Sequence, residues 1–392
     1  MNDSQLRVGI IGIGTIGSAH AAAIFDGKIP EMRLCALCDT SAARASELRS
    51  LYPDIPVFQT NDEFFEKAEI DAVIISTPHY DHPPLAIRAF ERGLHVLTEK
   101  PGGVYCSAVR EMCAAASKSG KVFGIMFNQR TNKLFSEARR IVSSGALGEL
   151  KRTVWIITNW YRKQCYYDSG DWRATWSGEG GGVLMNQAPH NLDLWQWICG
   201  MPISLRAECR VARSHDIEVE DDATIYAEYE NGASAVFITS TGDYPGTNRL
   251  EITGTKGKLV LENKKLTLYS LAIDEREYRM TEINTKNEVT VSVIDDEPYN
   301  GHCNILGNFA RAALYGEELI APGTDAIYEL TLCNAAYLSA WSDSKIRLPM
   351  NDAEFEARLD EHIRASRHKD TGTPAKKDSP DGSYIGRWNT NW

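Results

Sequence analysis

The feature that most constrains this chain is a glycine-rich turn between an apolar strand and a helix. Leu6–Gly12 has strand character and Thr15–Phe25 has helical character. Between them stands Gly12-Ile13-Gly14-Thr15-Ile16-Gly17. Each glycine has a task at that place. Gly12 permits a tight turn, Gly14 lets a pyrophosphate approach the backbone, and Gly17 lets helix and strand pack closely. The alternation continues with a strand over Arg33–Asp39, a helix over Ser41–Leu51, and strands over Asp71–Thr77, Leu94–Thr98 and Lys121–Phe127. Strands interleaved with helices predict a parallel sheet covered on both faces.

Asp39 ends the second strand about 20 residues beyond Gly17, where a carboxylate accepts hydrogen bonds from the adenosine ribose. The turn and Asp39 together predict dinucleotide binding. Asp39 favours NAD, because a 2′-phosphate would meet its negative charge. Arg44, the nearest following arginine, leaves NADP open.

Beyond about Leu147 longer strands dominate: Glu149–Trp160, Leu205–Arg213, Ala223–Glu230, Ala233–Thr241, Leu250–Gly254, Lys258–Glu262 and Leu266–Ser270. Asn231-Gly232 is a strong hairpin signal. Ala223, Ile225, Ala227 and Tyr229 alternate with period two, so one sheet face is expected to be buried. Helical patterns return at His190–Cys199, Asn304–Tyr315 and Thr324–Ser342. The expected division is residues 1–130, an NAD-binding α/β unit; 131–350, an α+β unit for substrate binding and oligomerisation; and 351–392, a helix and a surface tail docked by Trp388 and Trp392.

Charge narrows the partners. Lys and Arg number 42 and Asp and Glu 53, a net charge of −11. An acidic chain repels phosphate backbones and anionic lipid, so no nucleic-acid or membrane partner is expected. No leader segment is expected either, since a strand pattern begins almost at once. The odd count of nine cysteines, several in apolar runs, fits reduced thiols in a cytoplasmic protein. Cys35 and Cys38 have a metal-like spacing but fall on opposite faces of a strand, and no metal is expected.

Two segments carry candidate chemistry. Leu94–Thr98 runs into Glu99-Lys100-Pro101, which puts Lys100 at the carboxyl end of a parallel strand, beside the ligand crevice. The neighbouring strand ends in Thr77-Pro78-His79-Tyr80-Asp81-His82, whose histidines read as helix caps. The second segment is Gly180-Gly181-Gly182 through Asn186-Gln187-Ala188-Pro189-His190 to Asp193. Three glycines permit close backbone approach. Pro189 suits a first helical turn, which places His190 where the helix field disfavours its cation. A neutral imidazole is suited to general-base work.

These motifs resemble the glucose–fructose oxidoreductase / inositol dehydrogenase / MocA (Gfo/Idh/MocA) family. The matching elements are Gly12–Gly17, Thr77-Pro78, Glu99-Lys100-Pro101, Trp172-Arg173 and Gly180 through Asp193. The resemblance implies a Rossmann domain plus a domain with a large, open, mostly antiparallel sheet, through which many members self-associate. It implies that Lys100 and His190 are the catalytic pair. It also marks a departure. The family pattern usually has Asp four residues before the histidine, where this chain has Asn186. Asn cannot take a proton, so it is expected to bind a substrate hydroxyl instead.

The expected cofactor contacts are Gly12, Ile13, Gly14, Thr15, Ile16, Gly17, Asp39, Thr77, Pro78, His82, Glu99, Lys100 and Asn128. The expected substrate contacts are Asn186, Gln187, Tyr161, Trp172 and Arg173. The segment Trp155–Trp176 also carries Trp160, Tyr166 and Tyr167, rings that can stack on a sugar or pack in a core. The resulting expectation is an NAD-dependent dehydrogenase that oxidises a secondary hydroxyl of a sugar or glycoside, with C3 suggested by the resemblance. Two other readings stand beside it: a glycosidase that oxidises transiently, and a non-catalytic NAD sensor. The plain Glu99-Lys100-Pro101 motif favours the dehydrogenase over the first. Retention of Lys100 and His190 weighs against the second.

Overall fold

The computed structural model describes residues 5–367. The tail with Trp388 and Trp392 lies outside the described residues.

The N-terminal sheet has six parallel strands: β1 (Leu6–Ile11), β2 (Met32–Cys38), β3 (Val57–Phe58), β4 (Ala72–Ile75), β5 (His95–Thr98) and β6 (Phe123–Ile125). Their order is β3-β2-β1-β4-β5-β6. The order reverses between β1 and β4, and a ligand crevice opens there at the carboxyl ends of the strands. Val8, Ile10 and all of β4 are buried, as strands covered on both faces require. The helices are α1 (Thr15–Phe25), α2 (Ala42–Leu51), α3 (Asn61–Lys67), α4 (His82–Glu91) and α5 (Cys106–Ser119). Strand β1 stops at Ile11, one residue short of the sequence expectation, because Gly12 has φ +86° and leaves the extended region.

The second sheet has nine strands: β7 (Leu150–Ile157), β8 (Ser204–Val211), β9 (Glu220–Glu228), β10 (Ser234–Ser240), β11 (Asn248–Gly254), β12 (Gly257–Glu262), β13 (Lys265–Leu271), β14 (Val289–Asp295) and β15 (Ile346–Arg347). The order is β14-β13-β12-β11-β7-β10-β9-β8-β15. Pairing is antiparallel except between β7 and β10, which run parallel at its centre. The hairpin at Asn231-Gly232 joins β9 to β10, with Gly232 at φ +80°. Sequence reading missed β14, although Val289, Val291 and Val293 alternate. All three are about half exposed, so the strand lacks a buried face to mark it.

Helices α6 (Lys133–Ser143), α7 (Gln164–Tyr167), α8 (Val183–Asn186), α9 (Pro189–Cys199), α10 (Glu275–Tyr278), α11 (Gly301–Tyr315), α12 (Ala326–Ser342) and α13 (Asp352–Ala365) complete the order. The last three bind the two sheets together. Helix α11 packs against β1 and residues 128–131, and α12 packs against both α5 and β8. Helix α13 grips the first unit, with Tyr105 donating to Asp360 (3.1 Å) and Arg110 paired with Asp352. One continuous apolar core results. No helix among the described residues is long and apolar enough to cross a membrane, and none of the nine cysteines is in a disulfide.

Candidate active site

The turn after β1 has the shape its glycines require. A Cβ on Gly17 would lie 2.0 Å from the Gly12 carbonyl oxygen, so only glycine lets α1 start this close to the strand. A Cβ on Gly14 would meet nothing within 4 Å, so that face is open. No side chain caps the start of α1, which leaves its N–H groups to an anion. Ile13, Thr15 and Ile16 occupy the same turn. Asp39 accepts from the Ile13 N–H (2.9 Å) and the Ser41 N–H (2.9 Å), which fixes its carboxylate beside the turn. Arg44 is committed within the chain: buried, it donates to Ile13 O (2.9 Å) and Ser18 Oγ (2.6 Å) and pairs with Glu47 (2.8 Å).

The strand ends beyond the turn carry buried oxygens. Ser76 Oγ and Thr77 Oγ1 follow β4, Thr98 Oγ1 ends β5, and Asn128 Oδ1 follows β6. None has a hydrogen-bond partner among the described residues. A buried polar atom without a partner is costly, so a row of them at the mouth of an open turn fits a polar ligand. The residues therefore fit a dinucleotide.

Glu99 is buried and pairs with His20 Nε2 at 2.8 Å. Burial alone would raise its pKa, but the His20 hydrogen bond and nearby positive groups outweigh burial and hold it at about 2. Next to it, Lys100 Nζ donates to the backbone carbonyl of Asn186 at 2.9 Å. Burial lowers the Lys100 pKa, while Glu99, Glu179 and Glu329 oppose the shift. Asn128 Nδ2 lies 3.4 Å from His302 Nδ1.

The two histidines after β4 are not helix caps. His79 Nδ1 contacts the Glu179 carbonyl (2.9 Å) in the second unit. Both His82 nitrogens face backbone carbonyls, of Pro101 (2.7 Å) and Thr77 (2.9 Å). That leaves no ring nitrogen for a ligand, so the expected cofactor contact from His82 is replaced by a brace between the two loops that carry Thr77-Pro78 and Lys100.

The glycine–histidine block is anchored from below. Glu220 accepts from the N–H groups of Gly182 (3.0 Å) and Leu184 (2.9 Å) and from the Tyr337 hydroxyl (2.8 Å). Gly182 lies so close to β9 that a Cβ would stand 1.9 Å from the Glu220 carbonyl oxygen. This clamp directs α8 and then α9 toward the strand ends. Asn186 lies four residues before His190, so the Lys100 contact to its carbonyl brings the ammonium to the histidine helix. His190 is buried, and burial, followed by the Lys100 charge, holds its pKa well below the usual 6.5. Asp193 is turned elsewhere. It makes a bidentate pair with Arg130 (2.6 and 2.9 Å), both almost fully buried.

Tyr166 is the hub of the substrate-side residues. Its hydroxyl accepts from Arg173 (2.9 Å) and lies within reach of the side-chain amides of Asn186 (3.3 Å) and Gln187 (3.3 Å). The Arg173 guanidinium also stacks over Trp172 at 4.5 Å, and Trp172 meets the edge of His79. Tyr161 stands apart, 41% exposed and packed at a tilt against Tyr244. Of the aromatic segment, Trp155, Tyr166, Tyr167 and Trp176 are buried, so the expected aromatic sugar platform shrinks to Trp160, Tyr161 and Trp172. Sequence reading missed His20, Arg130, Glu179, Glu220 and His302. Glu179 had a signal: it is a carboxylate directly before the triple glycine.

The turn, the Asp39 carboxylate and the unpaired oxygens define a dinucleotide-dependent oxidoreductase. Comparison with known proteins makes this specific. A family profile described as an oxidoreductase family with an NAD-binding Rossmann fold matches residues 6–127, and the GFO/IDH/MocA C-terminal domain matches residues 135–260. The chain belongs to the Gfo/Idh/MocA family; it is an NAD-dependent enzyme acting on CH–OH groups. It is 24% identical to inositol 2-dehydrogenase of Rhizobium meliloti over 355 residues, 88% of this chain and 99% of that one. It is 29% identical to D-glucoside 3-dehydrogenase of Escherichia coli over 205 residues, 52% of this chain and 56% of the relative. The WlbA dehydrogenase of Bordetella pertussis, solved with NADH and UDP-GlcNAcA, shares the fold at a TM-score of 0.75 and 24% identity, over 88% of this chain and 100% of that one.

Proposed function

We propose that the protein oxidises a secondary hydroxyl of a sugar or glycoside, with C3 as the reacting carbon. The observation that carries this reading is the Lys100 ammonium, just beyond the end of β5, held by the backbone carbonyl of Asn186, the last residue of α8 and four residues before His190. Bound NAD supplies the hydride acceptor. His190 takes the hydroxyl proton, and Lys100 hydrogen-bonds the same oxygen and stabilises the alkoxide that develops. A ketone results. The existence of sugar and polyol dehydrogenases among the relatives, one of them named for position 3 of a glucoside, supports this substrate class. The test is incubation with NAD and a panel of alkyl and aryl pyranosides, reading NADH and keto-sugar by mass spectrometry. A keto-glycoside with one NADH each is expected. Free sugar without net NADH overturns this reading for the glycosidase. If nothing reacts, mass spectrometry of small molecules released from the denatured protein shows whether a retained cofactor masks turnover.

The ionisation states set the pH profile. The reactive His190 is neutral, and its pKa lies below the usual 6.5, so activity is lost only as pH falls well below that value. The reactive Lys100 is protonated, and its pKa lies below the usual 10.5, so activity falls as pH rises before that value. A kcat/KM profile is expected to be a broad bell between these limits. An acid limb above pH 6.5 contradicts the base assignment.

The open face of the nine-stranded sheet is the assembly surface in this reading, and its partner is a second copy of the chain. Val236 pairs with Val154 and Ile238 with Ile156 across β10 and β7, and all four are partly exposed on the face away from the helices. Contiguous apolar area of this kind marks an interaction site. Ile156→Arg combined with Ile238→Arg is expected to convert an oligomer to a monomer in light scattering. The unpaired cysteines fit a reducing cytoplasm.

A further inference from the structure

Asn186 is the position where the family pattern has an acid, and its side chain is held in one orientation. Its Nδ2 donates to Glu179 Oε1 and to the Tyr166 hydroxyl (3.3 Å). An amide NH2 has two donors, so both are spent inside the protein. The amide is planar, so Oδ1 points away from Glu179. Of the described residues from Glu179 to Trp195, Asn186 alone is not buried. The accessible end of this side chain is therefore an acceptor.

Glu179 is itself fixed. Its Oε2 accepts from the Ala174 N–H at 2.6 Å, and its carbonyl is contacted by His79 Nδ1 at 2.9 Å. The residue is 2% exposed. Ala174 follows Arg173 and sits at φ +53°, in a turn that brings Trp172 and Arg173 back toward Asn186. A carboxylate has no donor, so Asn186 can face it only with its nitrogen. A neutral isostere imposes no such choice.

We propose that Glu179 is a positioning residue that turns Asn186 into a pure hydrogen-bond acceptor and so selects substrates with a hydroxyl next to the carbon being oxidised. The proposal rests on the reading of Lys100 and His190 given above. The Asn186 carbonyl holds Lys100 while its side chain looks outward. One residue therefore touches the group that binds the reacting oxygen and offers an acceptor beside it. The substrate class that matches is a vicinal diol, whose second hydroxyl donates to Asn186 Oδ1. The Glu179 charge also favours the Lys100 cation from across the Asn186 side chain.

The test uses the full chain with NAD, and methyl glucopyranoside with its 2-deoxy and 4-deoxy analogues as probes. The wild-type protein is expected to disfavour one deoxy analogue by about 10-fold or more in binding constant, the cost of an unmet acceptor. Glu179→Gln lets the amide turn over, so the preference is expected to fall to within about threefold, carried by binding and KM more than by kcat. Asn186→Asp alone sets two carboxylates against each other and is expected to weaken binding. The swap Glu179→Gln with Asn186→Asp restores an acceptor and is expected to restore the preference. Unchanged discrimination in Glu179→Gln overturns the proposal, as does a swap no better than either single variant. If Glu179→Gln fails to fold, the swap decides alone. Lys100→Ala, assayed in parallel, separates the two readings: discrimination is read from binding, so it persists if Lys100 proves dispensable for turnover.

Discussion

His190→Ala is expected to lower kcat by about 10²- to 10⁴-fold, the range for loss of a positioned general base. The effect should fall on turnover, because the groups that hold the dinucleotide lie on other elements. The turn Gly12–Gly17 and Asp39 belong to the first sheet, whereas His190 belongs to α9. NAD binding followed by fluorescence should change little. Added imidazole should recover part of the activity, since the substitution leaves a ring-sized space next to Lys100. His190 is buried with a pKa held low, so it enters the reaction neutral. In the proposed mechanism its acceptor role strengthens as the substrate hydroxyl loses its proton and develops negative charge beside the Lys100 ammonium. Near-normal turnover in His190→Ala with intact NAD binding would falsify the assignment.

Asp193→Ala is expected to cost about 3–5 kcal/mol of stability, the range for breaking a buried ion pair by removing one partner. The Arg130 guanidinium would keep Asp325 (2.7 Å) but lose both bonds to Asp193, in a place where its side chain is 1% exposed. Phe127 and Trp197 stack over it and exclude water. The pair ties α9 to the segment after β6, so its loss should also disturb the placement of His190 and Asn128. Urea unfolding reads the stability, and kcat/KM reads the placement. Replacing both partners, Arg130→Met with Asp193→Leu, is expected to recover part of the stability, since the only charge then left without Arg130 is Asp325, which is 25% exposed and reaches water. A loss under about 1 kcal/mol in Asp193→Ala places the pair among weak surface contacts and removes this account.

Most of the candidate site was legible where its chemistry is local. The Gly12–Gly17 turn announces itself through spacing, and Asp39 through its place at a strand end. Lys100 and His190 are legible for the same reason, since each follows a strand or opens a helix that periodicity reveals. What was misread depends on distant partners. His82 looked like a cap or a cofactor ligand, but the carbonyls of Thr77 and Pro101 take both nitrogens. Arg44, the arginine that leaves NADP open, looked free in the sequence, but its guanidinium reaches Ile13, Ser18 and Glu47. The substitution at Asn186 looked like a lost acid, and the carboxylate of Glu179 beside it appears only when the 172–179 turn closes.

The sequence by itself determined the class of fold and the cofactor and supplied the proposed reacting pair, because short-range periodicity, glycine conformation and strand-end charge are properties of a few adjacent residues. The tertiary structure alone decided which buried charges meet, that β7 and β10 run parallel, and that α11 to α13 return to bind the first sheet. Those outcomes depend on pairing across tens to hundreds of residues. A charge such as Arg130 reads as solvent-facing until the apolar surfaces around it close and force it onto Asp193.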